Sequence, residues 1–134
     1  MPVHDPIHSF HAHVYFDPAA TRNIAGEIRD EIAARFSVRL GRWHDVPVGP
    51  HPVAMYQVAF LPPLFATLVP WLMLNRRGLT VLVHPNTGAP HADHLVHALW
   101  LGAILPIKGE VLPHTQDVGV METEPNTQPH LATG

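Results

Sequence analysis

The sequence predicts one α+β domain, because segments with the two-residue period of a strand alternate with segments that have the period of a helix. The predicted order along the chain is β-α-β-β-α-β. This order is typical of the split βαβ, ferredoxin-like arrangement, in which four antiparallel strands carry both helices on one face. A length of 134 residues fits a single domain with a buried core.

The first two elements have the clearest patterns. Residues 8–16 alternate between two faces, which predicts a strand. One face is apolar and is expected to meet the helices: Phe10, Ala12, Val14, Phe16. The other face carries Ser9, His11, His13 and Tyr15. A helix is predicted over residues 18–36, because isoleucines at 24, 28 and 32 are followed by Phe36 at the same four-residue interval, and Pro18 suits a first helical turn.

The remaining strands and the second helix are predicted from shorter sequence patterns. Strands are predicted at about 37–43, 53–61 and 79–84, with Pro85 ending the last of these. Pro62 and Pro63 open a second helix that extends to about residue 75. A short fifth strand is expected at 98–101. From residue 106 onward the apolar residues follow neither a strand period nor a helix period. The sequence therefore predicts a ferredoxin-like domain over 1–105 and an extended or disordered tail over 106–134.

Composition disfavours several classes of function. The net charge is −3 with histidine neutral, and the eight lysine and arginine residues form no basic cluster beyond positions 76–77, which argues against nucleic-acid binding. Prolines interrupt the longest apolar stretch, at 58–74, so no membrane span is expected. There is no cysteine, and the N-terminal residues lack a secretion signal. A cytoplasmic location is the expectation.

Twelve histidines are the most unusual feature of the composition. Imidazole is the commonest metal ligand among side chains. We expect the first and third strands to run parallel as central neighbours, with the fourth antiparallel beside the first. That arrangement would bring His11, His51 and His84 to one edge of the sheet. Neighbouring strands are about 4.8 Å apart, so imidazoles on them can reach one ion at about 2.1 Å each. His13 is a further possible ligand.

Four segments together resemble a known family: FHAHVYFDP, GPHP, LTVLVHPNTG and DHLVHALWLG. In this order they are similar to the DOPA 4,5-dioxygenase family, and the resemblance covers about residues 8–102. It implies a ferredoxin-like subunit, a non-haem ferrous site and an aromatic diol substrate. The positions that match are His11, His13, His51, His84, Asp93 and His94.

The resemblance implies an enzyme, namely an extradiol dioxygenase that opens the ring of a catechol such as DOPA with dioxygen. Fe(2+) is the expected cofactor, although a shell of histidines also suits zinc, nickel or copper. The predicted metal ligands are His11, His51 and His84. The predicted catalytic residues are His94 as acid–base group, His13 as second choice for that role, and Asp93 to orient an imidazole or complete the coordination.

Two other interpretations of the same residues stay open. One is an enzyme of another reaction on the same scaffold, such as a different oxygenase or a metal hydrolase. The other is a non-catalytic module that binds a metal or a small molecule. In each case the sheet face opposite the helices needs a cover, commonly a second subunit or a bound ligand, and a homodimer is expected.

The candidates for aromatic side chains that enclose a substrate ring are Tyr15, Trp43, Tyr56 and Trp100, and Arg42 is a candidate partner for a substrate carboxylate.

Overall fold

The structure is a computed structural model in which residues 6–116 and 124–131 are described. Its centre is one antiparallel sheet of five strands in the spatial order β2-β3-β1-β4-β5. The strands are β1 Ser9–Tyr15, β2 Arg39–His44, β3 Met55–Phe60, β4 Val81–Asn86 and β5 Leu99–Leu101. The predicted α+β, ferredoxin-like fold and its short fifth strand are confirmed. Residues 117–123 and 132–134 of the predicted tail lie outside the described part of the chain.

Two helices pack on one face of this sheet. They are α1, Arg22–Arg35, and α2, Phe65–Asn75, which follows a 3-10 turn at Pro62–Leu64. Ile28 and Ile32 of α1 and Leu72 of α2 join Val14 of β1 in the main apolar core. A third, short helix, α3, spans Pro90–Leu95 on the way to β5. The period-two pattern of β1 therefore identified the face of the sheet that packs against the helices.

No helix within residues 6–116 or 124–131 has both the length and the apolar composition that crossing a bilayer requires.

The first helix begins later than its sequence pattern predicted. It starts at Arg22, whereas Pro18 had been expected in its first turn. Asp17 explains the difference, because its carboxylate accepts a hydrogen bond from the backbone N–H of Ala19, and its carbonyl accepts one from the backbone N–H of Thr21. An aspartate that bonds to its own following backbone favours a turn over a helix.

The central strands run in opposite directions, so the prediction that β1 and β3 are parallel was wrong. Tyr15 at the end of β1 pairs with Met55 at the start of β3. The reason is topological. A helical crossover leaves β1 and β2 running the same way, and β3 then turns back beside β2 and must oppose β1. The predicted antiparallel pairing of β1 with β4 is confirmed, with His11 directly opposite His84.

The fourth strand also continues beyond its predicted end. It extends through Pro85 to Asn86, and these two residues pair with Phe10 and Ser9 of β1. A proline is compatible with a strand where its missing N–H is not needed by the ladder. The extra pairs carry β4 past His84, so this histidine sits inside the sheet.

Residues 124–131 lie along the outer edge of β2. The side chain of Asn126 accepts a hydrogen bond from the N–H of Leu40 at 2.8 Å and donates one to the carbonyl of Leu40 at 3.2 Å. The hydroxyl of Thr127 accepts from the N–H of Val38 at 3.0 Å. An unpaired strand edge is a template for association with other chains, and these contacts occupy it.

Replacing Asn126 should therefore weaken the fold measurably. Asn126→Ala removes both hydrogen bonds to Leu40, and we expect the free energy of unfolding to fall by about 1 kcal/mol. Urea unfolding followed by circular dichroism measures this change. The control is Gln128→Ala at a neighbouring exposed position, and an equal loss in both variants would contradict the edge-pairing role of Asn126.

Candidate metal centre

Five imidazoles lie together on the sheet face opposite α1 and α2. They come from β1, the β2–β3 connection, β4 and α3: His11, His13, His51, His84 and His94. The shortest distances between ring centroids are 3.9 Å for His84–His94 and 4.2 Å for His13–His51. Segments far apart in the sequence thus build one cluster, which is called the histidine cluster below.

One group of possible ligands within the cluster is His11, His13 and His84. Each offers a ring nitrogen, and these nitrogens lie within 4.8 Å of one another. The Nε2 atoms of His13 and His84 are 3.0 Å apart. Two ligands at right angles and about 2.1 Å from one ion would be separated by about 3.0 Å. The spacing therefore matches that of two ligands of a shared ion.

A second group consists of His13, His51 and His94, within the same 4.8 Å limit. His13 belongs to both groups, and its ring is buried, with 2% exposed. Among the described residues neither group unites His11, His51 and His84, the predicted ligand set. The structure brings all three into the cluster but places His13 at its centre.

The histidines meet on a face of the sheet, and this differs from the expected meeting at an edge. His11, His13 and His84 share a face because they have the same parity on adjacent strands. Since β3 opposes β1, the segment before β3 lies near the end of β1. His51 belongs to that segment, where its N–H donates to the carbonyl of Val48 at 3.0 Å. Its ring then reaches back over β1 to His13.

Backbone carbonyls fix the tautomers of two imidazoles. The Nδ1 atom of His84 is 2.9 Å from the carbonyl oxygen of Pro85, and that of His94 is 2.7 Å from the carbonyl oxygen of Pro90. Because a carbonyl oxygen only accepts, Nδ1 must be the protonated nitrogen in each ring. Nε2 then carries the lone pair, as a metal ligand or a general base requires.

His51 has a different partner. Its Nδ1 lies 2.7 Å from the hydroxyl oxygen of Tyr15, which is buried at the end of β1. Burial raises the pKa of the Tyr15 hydroxyl well above its ordinary value, so the group stays protonated. The ring of Tyr15 stacks on Trp100 of β5, with centroids 6.0 Å apart. Tyr15 was expected only to enclose a substrate ring, and its hydrogen bond was not foreseen from the sequence.

Burial makes the cluster strongly resistant to protonation. Burial, and to a smaller extent the neighbouring imidazoles, lower the pKa of His11 and of His51 to about 4. The pKa values of His13 and His84 lie well below the ordinary value for the same two reasons. The pKa of His94 is lowered by burial, although its bond to Pro90 opposes the shift. All five rings are therefore neutral near pH 7, which is the form that binds a metal.

The donor set fits a divalent transition metal. Its nitrogens come from neutral imidazoles, which suit iron, zinc, copper and nickel. The Nδ1 atom of His13 is buried and has no hydrogen-bond partner among the described residues. A buried polar atom without a partner is costly in a purely structural role. The residues present therefore match the group that the sequence resemblance implies.

Asp93 lies beside the cluster and is engaged elsewhere. It is buried, with 2% exposed, and its two carboxylate oxygens accept from the backbone N–H of Thr87 at 2.9 Å and from the hydroxyl of Thr87 at 2.7 Å. The bond ties α3 to the loop after β4, where Gly88 has a φ of 92° that favours glycine. Asp93 is in neither histidine group.

The remaining candidate residues divide between the two faces of the sheet. Tyr56 and Trp43 belong to the side of the helices, where the hydroxyl of Tyr56 donates to the carbonyl of Ala25. Tyr15 and Trp100 belong to the side of the histidine cluster. There Leu105 and Ile107 pack against the small apolar cluster of Tyr15, Met55 and Leu82, so the chain itself covers part of the face for which a second subunit was expected.

The segment after β5 also supports the helix that carries His94. The backbone N–H of His91 in α3 donates to the carbonyl of Pro113. Gly109 is buried, and a Cβ atom there would collide with Leu95 of α3 and lie 3.2 Å from the Nε2 atom of His91. Glycine is the residue that permits this close approach. No pattern in the sequence indicated a role for Gly109.

Fold and site together define a small α+β protein with a buried cluster of neutral imidazoles that is able to hold a metal ion. The sequence profile of the Dopa 4,5-dioxygenase family matches residues 10–111. The chain belongs to this family.

Individual relatives agree with the family profile. The chain is 35% identical over 122 residues to a DOPA 4,5-dioxygenase of Amanita muscaria, a match that covers 80% of this chain and 54% of that protein. It is 36% identical over 110 residues to an uncharacterized 21.2 kDa protein of Botryotinia fuckeliana, covering 74% and 60%. The chain thus spans between a half and two thirds of these relatives. A candidate dioxygenase from Nostoc punctiforme, known from a crystal structure, is 60% identical in sequence to this chain, with a TM-score of 0.77. The match covers 78% of this chain and 90% of that chain.

The lowered pKa values predict that the metal-free protein loses stability in weak acid. The unfolded chain takes up protons on these histidines below about pH 6.5, whereas the folded cluster resists protonation to about pH 4. Stability is therefore complete above pH 6.5 and is lost as the pH falls toward 4. A single histidine with this shift contributes roughly 2 kcal/mol between pH 7 and 5, so we expect a loss of several kcal/mol.

Guanidinium unfolding of the metal-free protein at pH 7 and pH 5 measures this loss. His130→Ala is the control, since His130 is exposed and outside the cluster. The control variant should show the same pH dependence as the unmodified chain. Equal stability at the two pH values would mean that the imidazoles are not buried in their neutral form.

Proposed function

We propose that the protein is a metal-dependent dioxygenase that opens the ring of a catechol such as DOPA, with Fe(2+) as its metal. The observation that carries the proposal is the cluster of five neutral imidazoles in a member of this family. In the proposed reaction the ring C–C bond beside the diol breaks, and both atoms of dioxygen enter the product as part of an aldehyde and a carboxylic acid. Electrons and atoms balance without an external reductant.

The proposed ligands are His11, His13 and His84. They lie on adjacent strands, and the 3.0 Å spacing of two Nε2 atoms fits a shared ion. The sequence favoured His51 in the place of His13, and the hydrogen bonds favour the exchange. The hydroxyl of Tyr15 has His51 Nδ1 as its partner, and we assign the phenol as the donor of this hydrogen bond, which leaves the proton of the neutral His51 ring on Nε2. A protonated nitrogen does not bind a metal.

His94 and His51 then have complementary roles, as a general base and as a hydrogen-bond donor. When bound, the metal would accept the catechol oxygens and mediate electron transfer to dioxygen. His94 carries a lone pair on Nε2, takes a proton from the catechol hydroxyl and returns it as the ring opens. The Nε2–H group of neutral His51 donates a hydrogen bond to the oxygen on which negative charge develops. Asp93 acts as a positioning residue, because its bonds to Thr87 hold the first turn of α3 and with it His94.

Removing a ligand should abolish metal binding without unfolding the protein. His84→Ala and His11→Ala are each expected to weaken Fe(2+) affinity at least a hundredfold, because each removes one of three ligands. Anaerobic reconstitution followed by metal analysis measures occupancy, and circular dichroism checks the fold. His114→Ala, outside the cluster, is the control. Full metal occupancy in His84→Ala would refute the ligand assignment.

Changing His94 or His51 should separate metal binding from turnover. His94→Gln and His51→Gln are expected to keep the metal but to lower kcat at least a hundredfold, which is within the usual contribution of a general base or of a hydrogen-bond donor to developing charge. Turnover is measured as the new visible absorbance formed from L-DOPA in the presence of iron and oxygen. Loss of metal in His51→Gln would return His51 to the ligand set. Tight zinc binding with no turnover of any catechol would instead favour a non-catalytic metal-binding module.

A further inference from the structure

A second concave site lies on the helix side of the sheet, behind the histidine cluster. It is a cavity of about 540 Å³ between the start of β1, the end of β4, β5, the first turn of α2 and α3. This volume is in the range of small-molecule sites, about 300–1,000 Å³. Of the five cluster histidines only His84 lines it, so the cavity and the cluster are separate spaces that share a wall.

The cavity exists because the two helices do not cover the whole sheet. Leu99 of β5 belongs to the helix-side row and is 38% exposed, and Ile7 before β1 is 43% exposed. Phe10 and Phe65 form an aromatic wall, with ring centroids 4.8 Å apart. Apolar side chains that face a concave space, as these do among the residues that the structure describes, are a typical feature of a binding pocket.

The lining defines the chemistry of a ligand. Most of the lining residues are aromatic or aliphatic, and those with polar side chains are His84, Thr87, His97 and Thr115. Among the described residues that line the cavity, none is a carboxylate, a lysine or an arginine. Charged molecules would therefore lose hydration without gaining an ion pair. The cavity suits a neutral aromatic molecule with one hydrogen-bonding group.

Three residues connect this cavity to the supports of the cluster. Pro85 lines the cavity, and its carbonyl accepts the Nδ1 proton of His84. Thr87 lines the cavity and donates to Asp93. Ala92 lines it from α3, two residues before His94. A molecule in the cavity would contact residues that hold His84 and His94 in place. Among the possible metal ligands it would touch only His84.

We propose that this cavity is a second binding site, for a neutral aromatic molecule, and that its occupation shifts the imidazoles of His84 and His94. The site is distinct from the one proposed for catechol cleavage. The proposal of a second site rests on the cavity and on the wall that it shares with the histidine cluster. It does not require the cluster to hold iron.

The test uses the metal-free full chain and 4-ethylphenol, which is uncharged at neutral pH. We expect saturable binding in a two-dimensional NMR titration, with contacts from the probe to the rings of Phe10 and Phe65. The histidine ring resonances of His84 and His94 should shift, whereas those of His114 and His130 should not. The absence of saturable binding up to the solubility of the probe would overturn the proposal. So would binding that leaves His84 and His94 unshifted.

Variants that fill the cavity provide the matched comparison. Leu99→Trp places an indole in the cavity and should weaken probe binding at least tenfold. Ile104→Trp adds the same side chain at a position that is 78% exposed and outside the lining, and should change affinity less than twofold. Ala92→Leu is a second cavity-filling variant, used if Leu99→Trp fails to fold. Unchanged affinity in a folded cavity variant would place the probe elsewhere and overturn the proposal.

Because no metal and no turnover enter this experiment, its failure is distinguishable from failure of the proposed function. Loss of probe binding in the cavity variants, together with no iron binding in the unmodified chain, would refute the dioxygenase proposal and keep the second site. Iron-dependent turnover with no probe binding would refute the second site and support the dioxygenase proposal.

Discussion

The arrangement depends on one constraint, namely that five imidazoles are kept neutral inside a protein. A charged imidazole cannot be buried among others without a large loss of free energy. The sheet meets this constraint by placing His13 and His84 under almost complete cover, with 2% and 1% exposed. The same burial that lowers their pKa values keeps their nitrogens unprotonated and available. Stability in the metal-free state and readiness for a metal therefore have one physical origin.

Hydrogen bonds give the individual imidazoles different properties within this common environment. Carbonyl oxygens of Pro85 and Pro90 hold protons on the Nδ1 atoms of His84 and His94. The Tyr15 hydroxyl does the opposite at His51 in the arrangement that we propose. Chemically identical side chains are in this way assigned to binding a metal, accepting a proton or donating a hydrogen bond. The contacts that decide these roles come from backbone groups and from one tyrosine, not from the histidines themselves.

The supports of the cluster are distributed over several segments. Thr87 and Asp93 join the loop after β4 to α3, and Gly109 allows the segment after β5 to pack closely on that helix. The family profile ends at residue 111, just after this contact. The same β4 and α3 residues form the wall of the apolar cavity behind the cluster. Site geometry and cavity shape are therefore linked through shared walls.

The sequence by itself determined the ferredoxin-like fold, the helix-facing row of β1 and the common face of His11 and His13. The two features of β1 follow from local periodicity, because a strand places alternate residues on opposite faces whatever its neighbours are. The family resemblance added His94 and Asp93 as candidates. The tertiary structure alone decided the direction of β3, the central position of His13 and the bonds of Tyr15 and Asp93. These features depend on how distant segments pack and on which hydrogen-bond partner each polar atom meets. Neither can be predicted from a short stretch of sequence.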